Sequence, residues 1–151
     1  MYCFETSVKR QRILISNALL NHVEDYIEVY GTATNKFPFE LQKNGVDISK
    51  CVIISDIEGG EFEVFDKRAL EVLKESIIII EIHEWHKNGI KNYNALQKRA
   101  KKHFNITKLT TQGRDLSVFP EIAELADNDR WLLCSEGRHH LTTWLRLDPK
   151  K

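Results

Sequence analysis

The sequence predicts an α/β domain built on a mostly parallel sheet with helices on both faces. Three observations carry this. Short apolar runs alternate with longer amphipathic ones along the chain. Two of the runs, Cys51–Ile54 and Ile77–Ile82, lack the in–out alternation of a half-exposed strand, and so read as strands covered on both faces. Polar residues follow the runs at Glu5, at Gly31-Thr32-Ala33, at Asp56-Ile57-Glu58 and at Glu81-Ile82-His83. In an open α/β sheet those are the strand ends where ligands bind.

The elements follow in order. Tyr2-Cys3-Phe4 is a short strand, and Thr6 and Ser7 supply hydroxyls that can cap the helix after it. Ile13, Leu14, Ala18 and Leu19 recur at helical spacing, and the helix ends near Asn21-His22. Tyr26–Tyr30 reads as a second strand closed by Gly31. Residues 34–50, polar and containing Pro38 and Gly45, read as a connector. After the Cys51–Ile54 strand comes a charged helical segment through Phe62, Val64, Phe65, Leu70 and Leu73, then the Ile77–Ile82 strand. A basic helix over about Tyr93–His103 and a strand over Ile106–Leu109 follow. An irregular acidic stretch with Pro120 leads to a last strand, Arg130–Cys134. The basic tail from Gly137, with Arg138, His139, His140, Trp144 and Arg146, reads as a solvated terminal segment that packs one aromatic residue.

Composition bounds the function. The chain has 151 residues, enough for one domain over 1–151, and 22 Lys+Arg balance 22 Asp+Glu. A neutral chain lacks the electrostatic drive of most nucleic-acid binders. No apolar run approaches the ~18 residues of a membrane span, and no secretory signal follows Met1. Cys3, Cys51 and Cys134 are odd in number and far apart, with no CxxC pair, which suits reduced thiols in a cytoplasmic protein.

The strand-end residues carry the chemistry. Glu5 can accept hydrogen bonds from both hydroxyls of a ribose, or it can serve only the dipole of the next helix. Asp56, Glu58 and Glu61 put three carboxylates within six residues. Their mutual repulsion calls for a cation, a proton or a donor, unless they form a solvated turn ahead of a helix. His83 suits a general base near neutral pH, and a structural hydrogen bond is the equal alternative. Asp56, Glu58, Glu81 and His83 also offer oxygen-rich metal ligation, but their spacing is not diagnostic, and the expectation is chemistry without a metal.

Residues 51–65, a buried strand followed by Asp-Ile-Glu-Gly-Gly-Glu-Phe-Glu-Val-Phe, resemble the signature of FkbM-type S-adenosylmethionine-dependent methyltransferases. Glu81-x-His83 is similar to the family's next strand end, and Phe4-Glu5 and Val29–Ala33 to its second and third strand regions. The resemblance implies a three-layer Rossmann-like fold and S-adenosylmethionine as cofactor. Glu5 would hold its ribose, Thr32 and Ala33 would lie beside the adenine, and Asp56 would face its methionine end. Glu58, Glu61 and His83, with Asp56, would act on the acceptor, a small molecule or sugar hydroxyl. The seven glycines form no Gly-x-Gly-x-Gly turn, and the chain starts where the family's second strand starts. The family's sheet order, 3-2-1-4-5-7-6, puts the lacking first strand between those of Phe4 and Ile53. A partial domain is therefore expected, one that can be inactive alone and can associate with itself or a partner chain through exposed strand edges, unless those two strands pair directly. Two rival readings are a non-catalytic module of the same fold kept for association, and a nicotinamide enzyme, in which a strand-end acid also reads ribose.

Overall fold

A computed structural model describes residues 1–85, 87–110, 116–135 and 142–150. Strand β1 (Tyr2–Phe4) leads to helix α1 (Val8–Leu20), and β2 (Glu28–Tyr30) to α2 (Phe37–Lys43). Strand β3 (Val52–Ser55) precedes two short helices, α3 (Glu61–Val64) and α4 (Lys67–Val72). Then come β4 (Ile77–Ile82), α5 (Gly89–Ala100), β5 (Phe104–Thr110), α6 (Asp127–Cys134) and β6 (Thr143–Pro149). Among the described residues no helix is long and apolar enough to cross a membrane.

The strands form two sheets: β1 beside β2, and the order β3-β4-β6-β5. The pairs β1/β2 and β3/β4 are parallel, and β6 runs antiparallel to both its neighbours. The α/β class and mostly parallel sheet are as expected. The strands of Phe4 and Ile53 do not pair. An apolar cleft of about 450 Å³ lies between them, lined by Tyr2, Cys3 and Phe4 on one side and Val52, Ile53 and Ile54 on the other. Burial pushes the pKa of the Cys51 thiol in its wall upward.

The core lies on one face of the four-stranded sheet. Ile78, Ile80 and Ile82 of β4 and Leu145 and Leu147 of β6 are fully buried there, against Leu70 of α4 and Leu96 of α5. Alternation along β3 sends Val52 and Ile54 to the other face, where they are 61% and 71% exposed. The two-sided cover expected of Cys51–Ile54 is thus absent at β3: its second face, with Val52 and Ile54, stays open. Helix α1 starts where expected, with the Ser7 hydroxyl accepting from the Arg10 N–H at 3.4 Å, yet it buries only Ala18.

Four expectations need correction. Arg130–Cys134 belongs to helix α6, whose first turn carries Asp127 and Asp129, acids that suit a helix N-terminus. Trp131, Leu132 and Leu133 on it are more than half exposed. The tail is not a solvated segment from 142 onward: β6 sits between β4 and β5. Arg138, His139 and His140 lie outside the described residues. The 34–50 connector contains α2, because Pro38 at the start of a helix costs no hydrogen bond. The Tyr26–Tyr30 strand is shortened to Glu28–Tyr30 by a 3-10 turn over Glu24–Tyr26.

Asn88, in the left-handed region at φ 62°, caps α5, and buried Gly89 follows it. A Cβ at Gly89 would overlap the Glu84 carbonyl. Gly89→Ala is therefore expected to cost about 1–3 kcal/mol by overpacking, read as a lowered midpoint in urea unfolding. An unchanged midpoint would contradict this packing.

Candidate active site

The turn after β3 sorts the acids. Glu58 and Gly59 take positive φ values of 48° and 92°, and the Gly60 N–H donates to the Ile57 carbonyl at 3.1 Å. A left-handed conformation at a non-glycine residue costs roughly 1–2 kcal/mol, and such strain gathers at functional sites. The turn leaves the Glu58 side chain 79% exposed and sends Glu61 at the start of α3 into the interior at 0%. The Glu61 carboxylate then accepts the His83 backbone N–H at 2.8 Å. This bond ties α3 to the end of β4.

His83 is the hub of the acids. Its Nδ1 lies 3.3 Å from Glu61 Oε1. Its Nε2 lies 3.5 Å from Asp56 Oδ1 and 3.6 Å from Glu58 Oε2. Trp85 meets the imidazole edge-on, with centroids 5.1 Å apart. Glu81 and His83 are both 2% exposed, whereas Asp56 is 48% exposed. Asp56 therefore bridges the buried imidazole and solvent. Glu58, Glu61 and His83, predicted to act together, do surround one point, but Glu61 sits behind the ring rather than on the open rim.

In front of Asp56 lies a cavity of about 520 Å³, within the range of small-molecule sites. Glu5 and Thr6 line it from the end of β1, Thr32 and Ala33 from the end of β2, and Asp56 and Glu58 from the end of β3. All five of Glu5, Thr32, Ala33, Asp56 and Glu58 thus meet at one site although they come from two sheets. Glu5 also does the helix work expected of it: its carboxylate accepts the Ser7 N–H at 2.6 Å. The sequence reading missed Arg10 and Asn35, which line the same cavity. Arg10 looks like one more base on a charged helix face. Asn35 donates to Asp66 at 2.7 Å, a contact with no sequence signal.

The family model for the methyltransferase FkbM domain matches residues 3–109. The chain belongs to the FkbM methyltransferase family. The match spans β1 through nearly all of β5, and so includes the whole cavity and the His83 cluster. No curated protein sequence matches significantly. A solved structure from Corynebacterium diphtheriae, a targeted domain assigned as a precorrin-6Y C5,15-methyltransferase, is similar over 99% of this chain and 74% of that one, with 18% identity and a TM-score of 0.53. At that identity the likeness bears on the fold alone. Methyl transfer using S-adenosylmethionine is the reaction class that this family membership carries.

Proposed function

We propose that the cavity at the ends of β1, β2 and β3 binds S-adenosylmethionine, and that its methyl group passes to a hydroxyl oxygen of a small molecule or sugar. The observation that carries this reading is the convergence of Glu5, Thr32, Ala33 and Asp56 on one cavity with His83 directly behind Asp56. Glu5 holds the ribose hydroxyls, Thr32 and Ala33 flank the adenine, and Asp56 faces the methionine end. The acceptor hydroxyl enters beside Asp56 and Glu58 and loses its proton to the cluster around His83. S-adenosylmethionine, when bound there, would supply a sulfonium methyl group open to in-line attack by the acceptor oxygen, the new C–O bond replacing the S–C bond and leaving a neutral thioether. Most of the acceleration comes from alignment, with proton removal adding to it.

The test is calorimetric titration of S-adenosylmethionine into the folded chain. Glu5→Ala is expected to raise Kd about 10- to 100-fold, the value of one charge-assisted hydrogen bond or two weaker ones. No heat of binding in the parent chain, or equal affinity in the variant, would sink the assignment.

The cleft favours a second reading, in which the chain is inactive alone and associates through the open edges of β1 and β3. Unpaired apolar edges attract a further strand. Sedimentation velocity over a range of concentrations tests this; a strict monomer that transfers methyl groups unaided would exclude it.

A further inference from the structure

We propose that Asp56, Glu81 and His83 form a divalent-cation site at the end of β4. One ligand atom from each of the three lies within 4.8 Å of the others. The proposal departs from the metal-free chemistry that the sequence suggested, and the distances are the reason. Hydrogen bonds from a ring nitrogen to a carboxylate fall at about 2.7–3.2 Å. The 3.5 Å between His83 Nε2 and Asp56 Oδ1 is longer. Two atoms bound to one cation at about 2.0–2.3 Å each sit roughly 3.0–3.6 Å apart. The Asp56–His83 separation fits that edge of a coordination shell.

The second, independent observation lies on the other side of the ring. A metal-binding histidine characteristically gives its remaining N–H to a carboxylate, which fixes its tautomer. Glu61 Oε1 stands 3.3 Å from His83 Nδ1, just past hydrogen-bond range but placed where such a carboxylate would stand, with Asp56 on the Nε2 side of the ring. Glu61 is fully buried, and its Oε2 has no hydrogen-bond partner among the described residues. A buried carboxylate oxygen in that state is costly unless positive charge lies close. A cation on the far side of the imidazole polarises the ring and supplies that charge. Two carboxylate oxygens and one imidazole nitrogen suit Mg²⁺, Mn²⁺ or Zn²⁺. The half-exposed Asp56 leaves the site open toward the cavity, where a bound oxygen can complete the shell.

The binding claim stands on ligand geometry alone. Its use, lowering the pKa of an acceptor hydroxyl, rests on the methyl-transfer reading. The test uses Mn²⁺ alone, titrated into the full chain without cofactor and followed by loss of the free-ion electron paramagnetic resonance signal. One saturable site per chain is expected. Its affinity should fall at least tenfold in Glu81→Gln and in Asp56→Asn, and stay unchanged in Glu71→Gln, an exposed acid beside Lys102 and His103. Glu81 is buried, so far-UV circular dichroism checks that variant's fold; Asp56→Asn, at the surface, keeps the test decisive if Glu81→Gln does not fold. No saturable site, or full affinity in Asp56→Asn, overturns the proposal. Calorimetry with S-adenosylmethionine on the same samples separates the two claims: cofactor binding lost with Mn²⁺ binding intact defeats the functional reading only, and the reverse defeats the metal site only.

Discussion

Asp56→Asn is expected to lower methyl transfer about 100- to 1,000-fold while leaving the fold intact. The change removes one charge and almost no volume. Asp56 is half exposed at the end of β3, and among the described residues no hydrogen bond ties a backbone element to its carboxylate in the way that Glu61 joins α3 to β4. What it loses is its position between the cavity and His83. A neutral amide cannot hold or pass the acceptor's proton, and removing a positioned base contributes losses of about 10²–10⁴-fold. An amide is also a poorer cation ligand, so the expected direction is the same if a divalent ion does the work. The affinity for S-adenosylmethionine should change far less, because Glu5, Thr32 and Ala33 remain. Transfer of labelled methyl to a panel of hydroxyl acceptors, with cofactor affinity measured alongside, separates the two quantities. Glu58→Gln is the comparison. Its side chain is 79% exposed, and it should cost under tenfold. An Asp56→Asn protein within threefold of the parent would remove Asp56 from the chemistry.

The acids of this site were readable because strand ends are local features. A run such as Val52-Ile53-Ile54 stops at the first polar residues, and in a parallel sheet those stops share a rim. The same reasoning could not tell Glu61 from Glu58. Two glycines separate them, and only the positive φ at Glu58 and Gly59 turns one outward and the other into the core. The last third of the fold was less legible for a different reason. Trp131-Leu132-Leu133 is apolar enough to be a strand, but β-structure depends on neighbours more than on its own residues, and the segment lies in α6, with all three side chains more than half exposed. Trp144-Leu145-Arg146-Leu147 does alternate, and Leu145 and Leu147 are fully buried. Its basic surroundings hid a strand that exists because β4 and β5 both need a partner. Helix α2 was hidden by reading Pro38 as a breaker, although at a first turn it is not one.

Phe37→Ala is expected to have the largest effect on stability, about 3–5 kcal/mol, and to act on the site from a distance. Among the described strands, no hydrogen bond joins β1 and β2 to the other sheet. Aromatic packing spans the break instead. Phe4 stacks on Tyr30 within the small sheet at 5.2 Å, Phe37 of α2 meets Phe4 at 5.4 Å, and Phe65 meets Phe37 edge-on at 6.3 Å. Phe37 is 5% exposed and Phe65 is 1% exposed, so truncating the middle ring leaves a cavity between Phe4 of the small sheet and Phe65 at the end of α3. A loss of this size is a large part of the 5–15 kcal/mol that holds a whole domain. It should not fall evenly. The Ile78, Ile80 and Ile82 face of β4 keeps its helices, while β1 and β2 lose the ring that links Phe4 to Phe65. In hydrogen exchange the amides of β1 and β2 should therefore lose protection well before those of β4. Glu5 and Thr32 would then no longer be held opposite Asp56, and cofactor affinity should fall along with the protection of β1, even though residue 37 carries no polar group to offer a ligand. Uniform loss of protection across both sheets would mean that something other than this aromatic contact couples them.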